Sequence, residues 1–180
     1  MPFHVFETDL GWFAVSGAGE RVTNLSIGHP TSLAAATAVG ADAKSAGGEA
    51  ADGVARDWYP ALTDALNRYA AGEPVDLAAF PVGEPTTPFA RKVVASLRRV
   101  PRGETVSYAE LARQAGSPKA ARAVGGVMRS NRVPLLVPCH RVVGAGGRLG
   151  GFSAPTGVEL KKRLLALEAA PHQSLPFSRG

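Results

Sequence analysis

The sequence predicts an α/β (α+β) protein in two modules: a small β-meander with one helix, then a helical module built around a helix-turn-helix pattern. Three observations point there. Aromatic and β-branched runs punctuated by turn formers fill residues 3–27, the mark of antiparallel strands. Helical spacing of apolar residues takes over from Ala55. The charge also changes sign at a proline-rich stretch: residues 1–85 carry four Lys/Arg and eleven Asp/Glu, residues 86–180 sixteen and four. Such a shift marks a module boundary, and a basic module is attracted to a polyanion. A solvated basic surface would carry the same charge, so nucleic acid needs a motif to support it.

In chain order, Phe3-His4-Val5-Phe6, Trp12-Phe13-Ala14-Val15 and Arg21 to Ile27 are the expected strands, with Asp9-Leu10-Gly11 and Gly17-Ala18-Gly19 as turns. Residues 28–53 are rich in small side chains and predict a loop or a poorly packed insertion. From Ala55 to Ala71 a helix is expected, with Trp58, Leu62, Ala65, Leu66 and Tyr69 on one face and Gly72 as its stop. Pro74 to Pro88 is the expected linker, giving modules over 1–85 and 86–170 and a frayed tail over 171–180. The second module opens with Thr87-Pro88 and a helix whose stripe is Phe89, Val93, Val94 and Leu97. Ser107 and Glu110 form a capping box for a short helix ending at Gly116. Ser117 and Pro118 then suit the start of a second helix to about Arg129. Two short helices around a glycine turn are the helix-turn-helix pattern. Thr156 to Glu159 reads as a capping box for a last helix, with Val158, Leu160, Leu164, Leu165 and Leu167 buried.

Other functions are bounded by composition. No apolar run is long enough to span a bilayer, and Met1 to Leu10 lacks a signal-peptide pattern; a soluble cytoplasmic protein with no membrane partner is expected. One cysteine excludes an internal disulfide or a Cys-rich zinc cluster, and four scattered histidines show no ligand spacing. No metal and no cofactor is expected.

The chemistry gathers in Val133-Pro134-Leu135-Leu136-Val137-Pro138-Cys139-His140-Arg141-Val142-Val143. The apolar run reads as a short buried strand or extended segment, ended by Pro138. A neighbouring imidazole or cation raises the fraction of thiolate, the nucleophilic form. Spacing alone leaves two readings of Cys139, a packed inert core residue or a reactive thiol. The helix around Lys119-Ala120-Ala121-Arg122-Ala123-Val124-Gly125-Gly126 also has two readings. Its small side chains permit close approach to a narrow groove with Arg122 reaching in, or simply tight helix packing. Glu168, near a helix end, would ordinarily be a solvated charge.

Together, Gly103-Glu104-Thr105-Val106-Ser107-Tyr108, Pro118 to Gly126, Asn131, Val133-Pro134, Val137 to Val143 and Leu164-Leu165-Ala166-Leu167-Glu168 resemble the O6-alkylguanine-DNA alkyltransferases, or methylated-DNA–protein-cysteine methyltransferases. The resemblance spans about residues 86–168. It implies a ribonuclease H-like N-terminal domain and a winged helix-turn-helix-like C-terminal domain carrying the active site. It further implies binding of double-stranded DNA containing O6-alkylguanine through the minor groove, base flipping, and irreversible transfer of the alkyl group to Cys139. A monomer is implied, with cooperative assembly on DNA left open. In that scheme His140 is the base, acting through a water, Glu168 orients it, and Asn131 orders the segment around the cysteine. Tyr108 donates to the leaving guanine and the Ser153 amide to its oxygen, while the carbonyls of Cys139 and Val142 accept from its amino group. Phe152 and Pro134 flank the base. Arg122 enters the stack, Ala121 and Ala123 let the helix sit deep, and Lys119 and Ser107 contact the DNA beside it. Phe152 departs from the family's usual Tyr, and the loop Ser153 to Gly157 is about two residues longer than in many members. The ligands of the zinc site that some relatives carry are missing.

Overall fold

The computed structural model describes residues 1–40 and 57–170. The meander forms as expected: β1 (Phe3–Thr8), β2 (Gly11–Ala18) and β3 (Arg21–His29) pair antiparallel in that order. Phe6 lies opposite Phe13 and Val15 opposite Leu25. Period-two alternation therefore collects these side chains, with Val22 and Ile27, in the core.

The expected loop at 28–53 begins with a helix instead, α1 (Ser32–Ala38). The Thr31 side chain accepts from the Ala34 amide at 3.2 Å, and alanine is the strongest helix former. Ala35 and Ala36 are fully buried, so the small residues allow close packing on the sheet rather than a loose insertion. Residues 41–53, the start of the helix expected from Ala55, and the expected tail at 171–180 lie outside the described residues. Helix α2 (Pro60–Ala70) begins later than periodicity suggested, after Trp58, and buries Leu62, Ala65, Leu66 and Tyr69. Gly72, at φ 92°, follows it. The expected linker is tied down: Val22 donates to Pro81 O and accepts from the Gly83 amide, both at 3.0 Å, and Leu77–Ala79 form a short 3-10 turn.

In the second module α3 (Pro88–Leu97) is capped by Thr87, whose hydroxyl accepts from the Ala90 amide at 3.1 Å. Next come β4 (Val106–Ser107) and α4 (Tyr108–Gln114). Ser107 caps α4, accepting from the Glu110 amide at 3.1 Å. Glu110 turns to Arg113 and Gln114 rather than back to Ser107, so only half the expected box forms. Helix α5 (Ala121–Arg129) starts three residues beyond Pro118 and has no side-chain cap. Ser117 is already engaged: its amide donates to Ala112 O and that of Gly116 to Arg113 O, both at 2.9 Å, the double closure that ends α4. The last helix, α6 (Val158–Ala169), likewise lacks the expected box; Gly157, at φ 52°, holds the cap position and Glu159 pairs with Lys162.

Two features fix the site. Strand β4 pairs parallel with β5 (Val142–Val143), Val106 opposite Val142, which brings Tyr108 at the head of α4 beside the cysteine segment. The hydrophobic cluster runs through both modules. They are also joined by hydrogen bonds from the Leu25 amide to Arg132 O at 2.8 Å and from Arg163 Nη2 to Asp9 O at 2.6 Å.

Candidate active site

The apolar run ahead of the cysteine is buried, but it is a tight turn, not a strand. The Val137 amide donates to Val133 O and the Leu136 amide to Pro134 O, both at 2.9 Å. Leu135 takes the left-handed conformation at φ 69°, which costs a non-glycine residue roughly 1–2 kcal/mol. Burial of Leu135 and Leu136 offsets that strain. Asn131 clamps the turn at both ends, donating from Nδ2 to Val137 O at 2.9 Å and accepting from the Val133 amide at 3.1 Å. The chain then enters a 3-10 turn, Cys139–Arg141, after Pro138.

Cys139 is 9% exposed and lies at the wall of a cavity of about 380 Å³. Tyr108, Asn131, Pro134, Phe152 and Ser153 line it too, with Gly125, Met128, Arg129 and Gly151. Gly150 lies against Tyr108: a Cβ there would come within 2.9 Å of the Tyr108 hydroxyl and displace it. A larger cleft of about 630 Å³ between residues 83–87 and α5 shares Asn131 and Met128 with the thiol cavity but is lined by no cysteine or histidine. Chemistry belongs to the smaller space.

His140, next to the cysteine in the chain, belongs to a buried charged network centred on Glu168. Its Oε1 accepts from His140 Nε2 at 2.8 Å, Tyr69 Oη at 2.7 Å and Arg141 Nη2 at 2.9 Å. Oε2 accepts from Arg141 Nε at 2.9 Å and the Gly103 amide at 3.3 Å. Burial pushes the carboxyl upward, yet the bonds from His140, Arg141 and Tyr69 outweigh it and hold the group well below the usual carboxylate range. Glu168 is ionised and acceptor-only, so His140 Nε2 carries the proton. Nδ1 is left with its lone pair, buried and without a partner among the described residues. Burial lowers the His140 pKa more than Glu168 raises it, so the imidazole is neutral near pH 7 and can accept a proton.

Burial likewise pushes the Cys139 thiol up, opposed by the Asn131 hydrogen bond, the Lys161 charge and backbone amides. The resting group is a thiol. A thiolate formed there transiently is more nucleophilic than one with a depressed pKa. Lys161 is 1% exposed and donates to Val142 O at 2.7 Å; burial lowers its pKa, opposed by the charge of Cys139 when ionised.

A family model described as 6-O-methylguanine DNA methyltransferase, DNA binding domain, matches residues 88–170. The human methylated-DNA–protein-cysteine methyltransferase is 39% identical over 167 residues, covering 90% of this chain and 77% of the human one. This chain belongs to the methylated-DNA–protein-cysteine methyltransferase family. The mouse member is 54% identical over 93 residues, 51% of this chain and 43% of the mouse protein. The chain spans about half the length of several curated relatives it matches. The fold agrees: Mycobacterium tuberculosis OGT, solved in complex with DNA, superposes with a TM-score of 0.69 at 31% identity, covering 93% of each chain.

Within this methyltransferase-family chain, the cavity wall unites Cys139, Tyr108, Asn131, Pro134, Phe152 and Ser153; His140 and Glu168 are not in it and pair with each other in the buried network. Val142 is not in that wall; its carbonyl accepts from Lys161. Arg122, Ala123 and Lys119 are exposed and Ala121 half-buried, on or just before α5, and Ser107 is half-buried at the head of α4. A Cβ at Gly125 or Gly126 would touch nothing, so tight internal packing does not explain the two glycines of α5. Sequence reasoning assigned no site role to Tyr69, Lys161 or Gly103, and offered Arg141 as a cation beside the thiol, whereas its guanidinium binds Glu168. One signal was available: Lys161 and Glu168 share the buried face of α6 with Leu160 and Leu164, and charges on a buried face call for partners.

Proposed function

We propose that this protein reverses DNA alkylation directly, moving the alkyl group of O6-alkylguanine onto Cys139 in a single, irreversible turnover. The observation that carries the reading is the buried thiol at a cavity wall, backed by a neutral imidazole whose Nε2–H is tied to an ionised Glu168. Duplex DNA is engaged from the minor groove through α5, whose small exposed side chains permit close approach, and Arg122 takes the place of the flipped base. Lys119, Ala121, Ala123 and Ser107 lie along that approach. The first module is read as ribonuclease H-like and the second as winged helix-turn-helix-like. The chain acts as a monomer in the cytoplasm, where a free thiol stays reduced.

The step balances as a displacement. Sγ forms a bond to the alkyl carbon, the carbon–oxygen bond breaks, and its electron pair leaves with guanine. The sulfur's proton passes through a water to His140 Nδ1, and Glu168 stabilises the imidazolium that results. Tyr108 and the Ser153 amide donate to the departing base, the Cys139 carbonyl accepts from its amino group while that of Val142 is held by Lys161, and Phe152 and Pro134 flank it. A thioether has no leaving tendency, so the protein is consumed. Intact-mass measurement after incubation with a duplex carrying O6-methylguanine tests the proposal. One methyl gained per chain, absent in Cys139→Ser, is expected; DNA binding with no mass change would overturn it.

A further inference from the structure

We propose that Tyr69, supplied by the N-terminal module, is a positioning residue of the alkyl-transfer site: its hydroxyl holds Glu168 Oε1 and so sets how strongly that oxygen draws on the His140 imidazole. The inference rests on the reading of Cys139, His140 and Glu168 given above. It adds a residue 99 positions before Glu168 in the chain and outside the stretch that the family model matches.

The geometry is specific. Tyr69 is 1% exposed, so its phenol has no water to satisfy it, and its bond to Oε1 at 2.7 Å is the shortest that Glu168 accepts. The same oxygen accepts from His140 Nε2. With Arg141 Nη2 it has three donors, and donors on one oxygen compete, because each withdraws charge the others would use. The phenol is also fixed from outside the pair. Arg102 lies over the Tyr69 ring, 5.3 Å from guanidinium carbon to centroid, and its Nη2 donates to both Gly72 O and Leu167 O. One guanidinium thus ties the end of α2 to the end of α6. Burial and the adjacent Glu168 push the phenol's pKa well above its usual value, so Tyr69 stays a donor throughout the working pH range.

The charged groups around the pair are Arg141 on the same turn as His140, Lys161 and Glu168 on α6, and Arg102 beyond α3. With the phenol hydroxyl removed, Oε1 keeps more negative charge for the imidazole and the protonated form of His140 is favoured. Its pKa rises. Because the neutral imidazole is the working form, the acid limb of the rate profile moves toward higher pH. A tyrosine that only packs would leave that limb where it is.

The test uses the full chain. Tyr69→Phe keeps the ring and deletes the donor; Leu66→Ala on the same helix removes packing alone. Single-turnover transfer from an O6-methylguanine duplex is followed against pH, with DNA affinity and Tm measured alongside. For Tyr69→Phe we expect the acid limb to move up by about half to one pH unit, with DNA affinity unchanged. Leu66→Ala should lower Tm and leave the limb in place. An NMR titration of His140 reads the same shift without turnover, should Tyr69→Phe prove too unstable for kinetics. Transfer with an unmoved limb and an unmoved titration, or an equal movement in Leu66→Ala, would overturn the Tyr69 assignment alone. No transfer by the wild-type chain would overturn the underlying reading and this one with it.

Discussion

Replacing Glu168 with Gln is the sharpest probe of the buried network. The carboxylate side chain has no exposed surface, and five donor groups converge on its two oxygens. Gln keeps the shape, but its amide nitrogen must face at least one of those donors, and the Arg141 charge loses its partner. Removing one side of a buried ion pair costs about 3–5 kcal/mol. For a chain of 180 residues each kcal/mol moves Tm by roughly 2–4 °C, so a fall of roughly 6–20 °C is expected by calorimetry at pH 7. The pH dependence supplies a second check. The native carboxyl lies below its ordinary value of 4.5, so its stabilising contribution is complete above that pH and is lost as pH falls toward the native value. Wild-type protein should lose stability through that window, and Glu168→Gln should lose distinctly less. A Tm within about 2 °C of wild type, with the same acid profile, would refute the reasoning, since about 1 kcal/mol or less would then be at stake.

Three other substitutions separate the parts of the site. Arg122→Ala changes an exposed side chain, so stability should stay within about 0.5 kcal/mol while DNA affinity and alkyl transfer both fall; unchanged affinity in a fluorescence titration would count against its place in the stack. Lys161→Met strands the Val142 carbonyl and removes a charge that lowers the Cys139 pKa. The thiol should titrate at higher pH in an iodoacetamide rate profile, with about 1–3 kcal/mol of stability lost in urea. Gly150→Ala puts a carbon 2.9 Å from the Tyr108 hydroxyl; single-turnover assays should show slower transfer with DNA affinity retained.

Much of the site was legible because its parts are local. Cys139, His140 and Arg141 are consecutive, Asn131 lies within one turn-closing segment of them, and Glu168 stands on a helix with a readable apolar stripe. The meander was equally legible, since alternation and turn chemistry act over a few residues. What escaped depends on distance or on competition. Tyr69 reads as one more apolar position of α2, and only the fold shows its hydroxyl against Glu168. The run Val133 to Val137 has strand composition, yet Asn131 bonds both of its ends and forces a turn through Leu135. Ser117 suits a helix start, but the closure of α4 uses its amide first. Alanine in α1 was mistaken for looseness, although small side chains let a short helix lie flat on a sheet.

The bond from the Leu25 amide to Arg132 O, together with the grip of Arg163 on Asp9 O, limits how this chain can be rebuilt. A chimaera that swaps the first half for that of a distant homologue would keep its reactive centre in the primary structure while losing the seam that aligns it. Grafts should therefore be cut so that β3 and α2 travel with the catalytic half, and libraries that shuffle at the proline-rich junction should yield mostly folded but sluggish proteins.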